Sequence, residues 1–121
     1  MKIYSFFFFL IMLTISCKHK TNFNEFPEVS YSKNIAPIIV SNCTQSNCHG
    51  SEKHKKFELL SYDQVIKNTG VVFGSPEKSN LYNIINTYNS NDLMPPKPNS
   101  KLSDSQIEQI YLWIGQGAKN N

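Results

Sequence analysis

The reading of the chain turns on Cys43-Thr44-Gln45-Ser46-Asn47-Cys48-His49. Two cysteines stand close together, and a histidine follows the second directly. Cys-x-x-Cys-His is a haem attachment signal. Here the gap holds four residues instead of two. The chemistry carries over: two thiols can add across two vinyl groups as thioethers, and the adjacent imidazole can reach iron from one face. The longer gap must bulge outward so that both sulfurs still reach vinyl groups at a fixed separation.

A second feature lies far downstream. Met1 and Met12 fall in an N-terminal stretch that reads as a leader, which leaves Met94 as the one methionine of the mature chain. Pro95 and Pro96 follow it. Proline fixes its own backbone and restricts the residue before it, so a Met-Pro-Pro loop would hold the thioether in one orientation. A thioether opposite an imidazole is a known axial pairing of haem iron.

Residues 1–16 read as an export signal: Lys2, then an almost wholly apolar run from Ile3 to Ile15. The run is short of the roughly 20 residues that a spanning helix needs. Leu13-Thr14-Ile15-Ser16-Cys17 resembles a bacterial lipoprotein box, in which the leader is cut before a cysteine that is then acylated. An ordinary signal peptide or an uncleaved anchor is the alternative, and every version exports the domain. Residues 17–30 are polar and read as a tether. Residues 31–121 leave room for one domain.

The chain of 121 residues has a formal charge of +3 and contains no arginine. With no basic stripe or arginine cluster, nucleic-acid binding is disfavoured. Lys53, Lys55 and Lys56 read as a solvated face. With Cys17 assigned to lipid, Cys43 and Cys48 remain as a pair. A lone pair in an exported protein means a disulfide or a cofactor link. The abutting His49 and the downstream Met94 favour the cofactor.

Four helices are expected. The first runs from about Ser32 to Asn42, with Ile35, Ile38 and Ile39 on one face and Pro37 near its start, and delivers Cys43 at its end. The second spans Tyr62 to Asn68, with a Ser61/Gln64 capping box and Gly70 as its stop. The third starts at Ser75-Pro76 and continues to about Thr87, burying Leu81, Ile84 and Ile85. The last opens at Ser103 with Gln106 as box partner, carries Ile107, Ile110, Tyr111 and Ile114 as a stripe with Trp113 beside it, and stops at Gly117. Residues 89–100 are a loop by every local signal. No period-two alternation is long enough for a sheet.

Ile35-Ala36-Pro37-Ile38-Ile39, the cysteine–histidine stretch with Gly50, Leu93-Met94-Pro95-Pro96 and Leu112-Trp113-Ile114-Gly115-Gln116-Gly117-Ala118 resemble, in order and spacing, the small monohaem cytochrome c domains of exported bacterial proteins. The resemblance extends from about Tyr31 to Ala118. It implies an all-α fold, three to five short helices around one covalent haem c, with the first and last helices crossing. It also implies that Cys43 and Cys48 bear the thioethers, that His49 is the proximal ligand and Met94 the distal one. The four-residue gap departs from the usual pattern.

The expected function is outer-sphere electron transfer by that haem, in a lipid-anchored protein facing the periplasm and exchanging electrons with a redox partner protein. Enzyme activity is not expected, because an iron held on both faces has no open position for substrate. His54 is a rival distal ligand, but so near His49 it would lie on the same side of the iron. Phe57, Tyr82, Tyr111 and Trp113 are core residues compatible with packing on a haem edge. Two alternatives stay open: a haem-free lipoprotein with a Cys43–Cys48 disulfide, and a copper or zinc module using Cys43, Cys48, His49 and Met94 or His54.

Overall fold

Capping chemistry and apolar spacing place the elements. The structure, a computed structural model, describes residues 21–52 and 56–121. The expected leader over residues 1–16, Cys17 and His54 lie outside them. Four helices carry the fold: α1 (Ala36–Cys43), α2 (Tyr62–Thr69), α3 (Asn80–Asn86) and α4 (Asp104–Gly115). No strand occurs among the described residues. The fold is all-α, as the sequence implied.

A wide π-type turn, Tyr31–Ile35, leads into α1. Its free amide groups are satisfied from two directions. The Ser30 hydroxyl accepts from Lys33 N–H, while Asn34 Oδ1 accepts from Ser30 N–H at 3.0 Å. At the far end of the chain, the Asn121 carbonyl accepts from Ser32 N–H at 2.9 Å and its side chain from Tyr31 N–H at 2.8 Å. Pro37 then falls in the first turn of α1, where its missing donor costs nothing. Ile35, Ile38 and Ile39 are buried as their spacing requires. Cys43 extends the same stripe by one more step of four.

Helix α2 ends at Gly70, whose φ of 64° is the left-handed conformation glycine adopts freely. At its start the Ser61 hydroxyl accepts from Gln64 N–H, but the Gln64 side chain reaches past Ser61 to Leu60 N–H at 2.7 Å. The expected reciprocal box is therefore shifted by one residue on one side. In α4 the box is complete: Ser103 Oγ accepts from Gln106 N–H and Gln106 Oε1 from Ser103 N–H.

The helix expected from Ser75 to Thr87 is instead a short 3-10 turn, Pro76–Lys78, followed by α3. Ser79 breaks it. Its buried hydroxyl accepts from Val72 N–H at 2.8 Å and lies 3.0 Å from the Ser75 carbonyl. Those bonds hold Ser79 extended, at φ −85° and ψ 123°.

The core sits where α4 meets the turn before α1. Ile107, Ile110, Trp113 and Ile114 of α4 are buried. The Trp113 ring lies 5.7 Å from that of Tyr31, and its Nε1–H donates to the Lys119 carbonyl at 2.9 Å. It is the turn before α1, through Tyr31, that meets the last helix here. Residues 23–30, part of the stretch read as a tether, lie along α4. Phe23 packs at a tilt on Tyr111, with ring centroids 5.4 Å apart, and occupies the space a Cβ on Gly115 would need. The Gln116 amide bridges Val29 N–H (2.8 Å) and the Pro27 carbonyl (2.9 Å). Lys119 pairs with Glu28 at 2.7 Å, both well exposed.

Candidate functional site

The segment after α1 folds back on the helix end. His49 N–H donates to the Cys43 carbonyl at 2.9 Å, and Cys48 N–H to the Gln45 carbonyl at 2.9 Å. Asn47 takes a left-handed φ of 66°, which asparagine tolerates better than most residues. Gln45, Ser46 and Asn47 are exposed, so the extra residues of the wide gap sit on the outer side of the turn. Gly50 follows the histidine because Thr44 O already occupies the position a Cβ would take.

The imidazole of His49 is held from one side. Its Nδ1 lies 3.0 Å from the Phe57 carbonyl oxygen. A carbonyl can only accept, so Nδ1 carries the proton and Nε2 keeps its lone pair. Imidazole ligands of metals are oriented in this way. The Phe57 ring stacks on the imidazole, with centroids 4.6 Å apart and planes 13° from parallel. Helix α2 fixes the backbone that carries this carbonyl. Asn68 Nδ2 donates to the Glu58 carbonyl at 3.1 Å, Gln64 Oε1 accepts from Leu60 N–H, and Leu59 N–H donates back to the His49 carbonyl at 2.9 Å.

Cys43, His49 and Met94 all line one cavity of about 50 Å³. Its walls are largely apolar: Phe57 and Leu59 from the loop, Leu81, Ile84 and Ile85 from α3, with Asn68, Thr69 and Asn80 at the junction of α2 and α3. Met94 is placed by a backbone bond, its N–H donating to the Ile84 carbonyl at 2.9 Å. It is 37% exposed, so the cavity reaches the surface on that side, and the buried Pro95 after it anchors the loop.

Both thiols are free. Burial, and behind it the neighbouring Cys48, push the Cys43 thiol up to about 11. Cys48 does not line the cavity; its sulfur lies 3.8 Å from the Ser46 carbonyl. Among the described residues no three His, Cys, Asp or Glu side chains converge to hold a metal ion.

These residues suit a haem in kind: a buried thiol beside a second thiol, an imidazole with its Nε2 lone pair kept, a thioether and apolar walls. The cavity as it stands is smaller than the roughly 300 Å³ that pockets for large ligands start from. A bound macrocycle would need a wider space than this cavity offers.

Some of this site was outside the reach of sequence reasoning. Asn68, Thr69 and Asn80 belong to helix ends that gave no hint of a cavity. Phe57 was singled out for its ring, whereas its carbonyl makes the bond to His49. Tyr82 and Tyr111 lie elsewhere, in a groove between α3 and α4 that also holds Asn86, Asp104, Ile107 and Glu108. Trp113 is core and does not line the cavity.

Residues 46–98 match the model of a family described as Planctomycete cytochrome C. The match takes in Cys48, His49 and Met94, begins after Cys43, and covers less than half of the chain. With the all-α fold it supports a cytochrome c-like domain. No curated protein and no solved structure matches the chain.

Proposed function

We propose that this chain transfers electrons through a single c-type haem. Cys43 and Cys48 bear the thioethers, His49 is the proximal ligand and Met94 the distal ligand. The observation that carries this reading is the His49–Phe57 bond: it protonates Nδ1, keeps Nε2 as a donor, and does so on a cavity that Met94 also lines.

Bound there, the haem supplies an iron that cycles between two oxidation states. The chain's own residues do the rest. The α2 clamp and the Phe57 carbonyl orient the imidazole and fix its tautomer. Leu81, Ile84 and Ile85 exclude water from one wall, which tunes the potential through burial. Met94 would take the remaining position on a bound iron, which would leave none for substrate, so the reading is electron transfer without catalysis.

Export and anchoring complete the proposal: residues 1–16 direct the chain across a bacterial inner membrane, and Cys17 carries lipid that holds the domain at a membrane facing the periplasm. A redox protein is the partner, and the mild excess of lysine over acid favours an acidic docking face, with salt-sensitive rates.

The test is a reduced-minus-oxidised spectrum of the protein made in a host with haem-attachment machinery, with a denaturing gel stained for haem. A sharp α band and haem that survives denaturation are expected. A colourless product from a host shown to mature a wide-gap control would sink the reading. Cys17→Ser should release the protein from membranes.

A further inference from the structure

The descent of the N-terminal strap along α4 has a consequence for how the domain stands on a membrane. This inference rests on the proposed acylation of Cys17. The chain meets the body early: Thr21 lies beside the Tyr111 hydroxyl, and Phe23 packs at a tilt on the same ring. From there to Ser30 the strap is held by the Gln116 amide and by Phe23 packed against Gly115. Only three residues separate Cys17 from Thr21. At about 3.6 Å per residue the leash spans roughly 14 Å. Even fully extended, that is under half the distance across a compact body of this size, roughly 34 Å for a radius of gyration of about 13 Å, so the face that carries Thr21 stays nearest the membrane.

The groove beside the attachment point and the Met94 side of the cavity lie on opposite sides of α3. Tyr82 and Asn86, four apart, face the groove that Tyr111 also lines. The Tyr82 ring is 5.1 Å from Tyr111. Ile84 lines the cavity and its carbonyl accepts from Met94 N–H; two residues from both Tyr82 and Asn86, it sits about 160° around the helix from them. The strap also carries Phe26, 43% exposed, an apolar ring of the kind that interfacial segments bury at the headgroup–acyl boundary.

We propose that the docked strap holds the Phe23–Phe26 and α3–α4 face against the phospholipid bilayer and turns the Met94 side of the cavity away from it, toward a redox centre outside the bilayer. A lipid-soluble electron carrier inside the membrane would then be a poor direct partner.

The experiment uses the full, acylated and haem-loaded protein in vesicles containing a headgroup-photoreactive phospholipid, with adduct mapping by peptide mass spectrometry. Adducts should concentrate on the segment 21–26 and on Tyr82, Asn86 and Tyr111, with few near Met94 and Lys97. The same digest reads the mass at Cys17. Absence of lipid there would remove the anchoring and the orientation together. Lipid on Cys17 with adducts as frequent around Met94 as on the strap would overturn the orientation alone. A long Gly-Ser insert between Lys20 and Thr21 leaves the body untouched and should spread the adducts evenly. An unchanged pattern with the insert would refute the short leash as the cause.

Discussion

The imidazole Nδ1 of His49 sits 3.0 Å from the carbonyl oxygen of Phe57, and the two rings stack at 4.6 Å. One residue therefore fixes both the tautomer and the plane of the other. Phe57 is itself held by α2 through the bond from Asn68 to the neighbouring Glu58 carbonyl. The path from helix to imidazole is short and made of directed bonds.

Asn68→Leu removes the donor to that carbonyl while roughly conserving volume. A loss of about 1 kcal/mol in stability is expected, measurable by urea unfolding. In the haem-loaded protein the reduction potential should also shift, because a less firmly held imidazole is a different donor. A stability loss with an unmoved potential would make Asn68 merely structural.

Met94→Ala should lower the potential and open the distal position to carbon monoxide. Redox titration and the carbon monoxide difference spectrum read this directly. An unchanged potential and unchanged ligand-field bands would remove Met94 from the iron.

Before haem is attached, Cys43 should be a sluggish nucleophile. Its thiol is raised from 9.0 to about 11 by burial and by Cys48. Only thiolate reacts, so alkylation of Cys43 should climb about tenfold per pH unit between pH 8 and 10. The folded chain favours the neutral thiol, so the Cys43 contribution is complete below pH 9 and drains away as pH rises toward 11. Cys43→Ala should remove that component of an alkaline unfolding curve.

Trp113→Ala should cost about 3–5 kcal/mol, because the ring is fully buried against Tyr31 and Tyr62. Trp113→Phe should cost less, yet still leave the Lys119 carbonyl without its 2.9 Å donor. Thermal unfolding of the two variants separates the packing part from the hydrogen bond.

Local signals in the sequence determined the helices. Ile35, Ile38 and Ile39, the Ser103/Gln106 box, and Gly70 and Gly117 at the stops are short-range physics, in which capping bonds and apolar stripes depend on neighbours within a turn or two. The same locality made Cys43, Cys48 and His49 legible as a unit, and the rarity of methionine singled out Met94. Where a side chain bonds back to the backbone out of helical register, the local pattern misleads. Ser75-Pro76 has every mark of a helix start, but the Ser79 hydroxyl bonds back to Val72 and breaks the helix. Only the tertiary structure decided that Met94 and His49 share a cavity, that the Phe57 carbonyl holds the imidazole, and that residues 23–30 lie strapped to α4 through Gln116. Each joins segments that are separate in the chain, and such contacts form only once the buried faces of α3 and α4 fix where the loops pass.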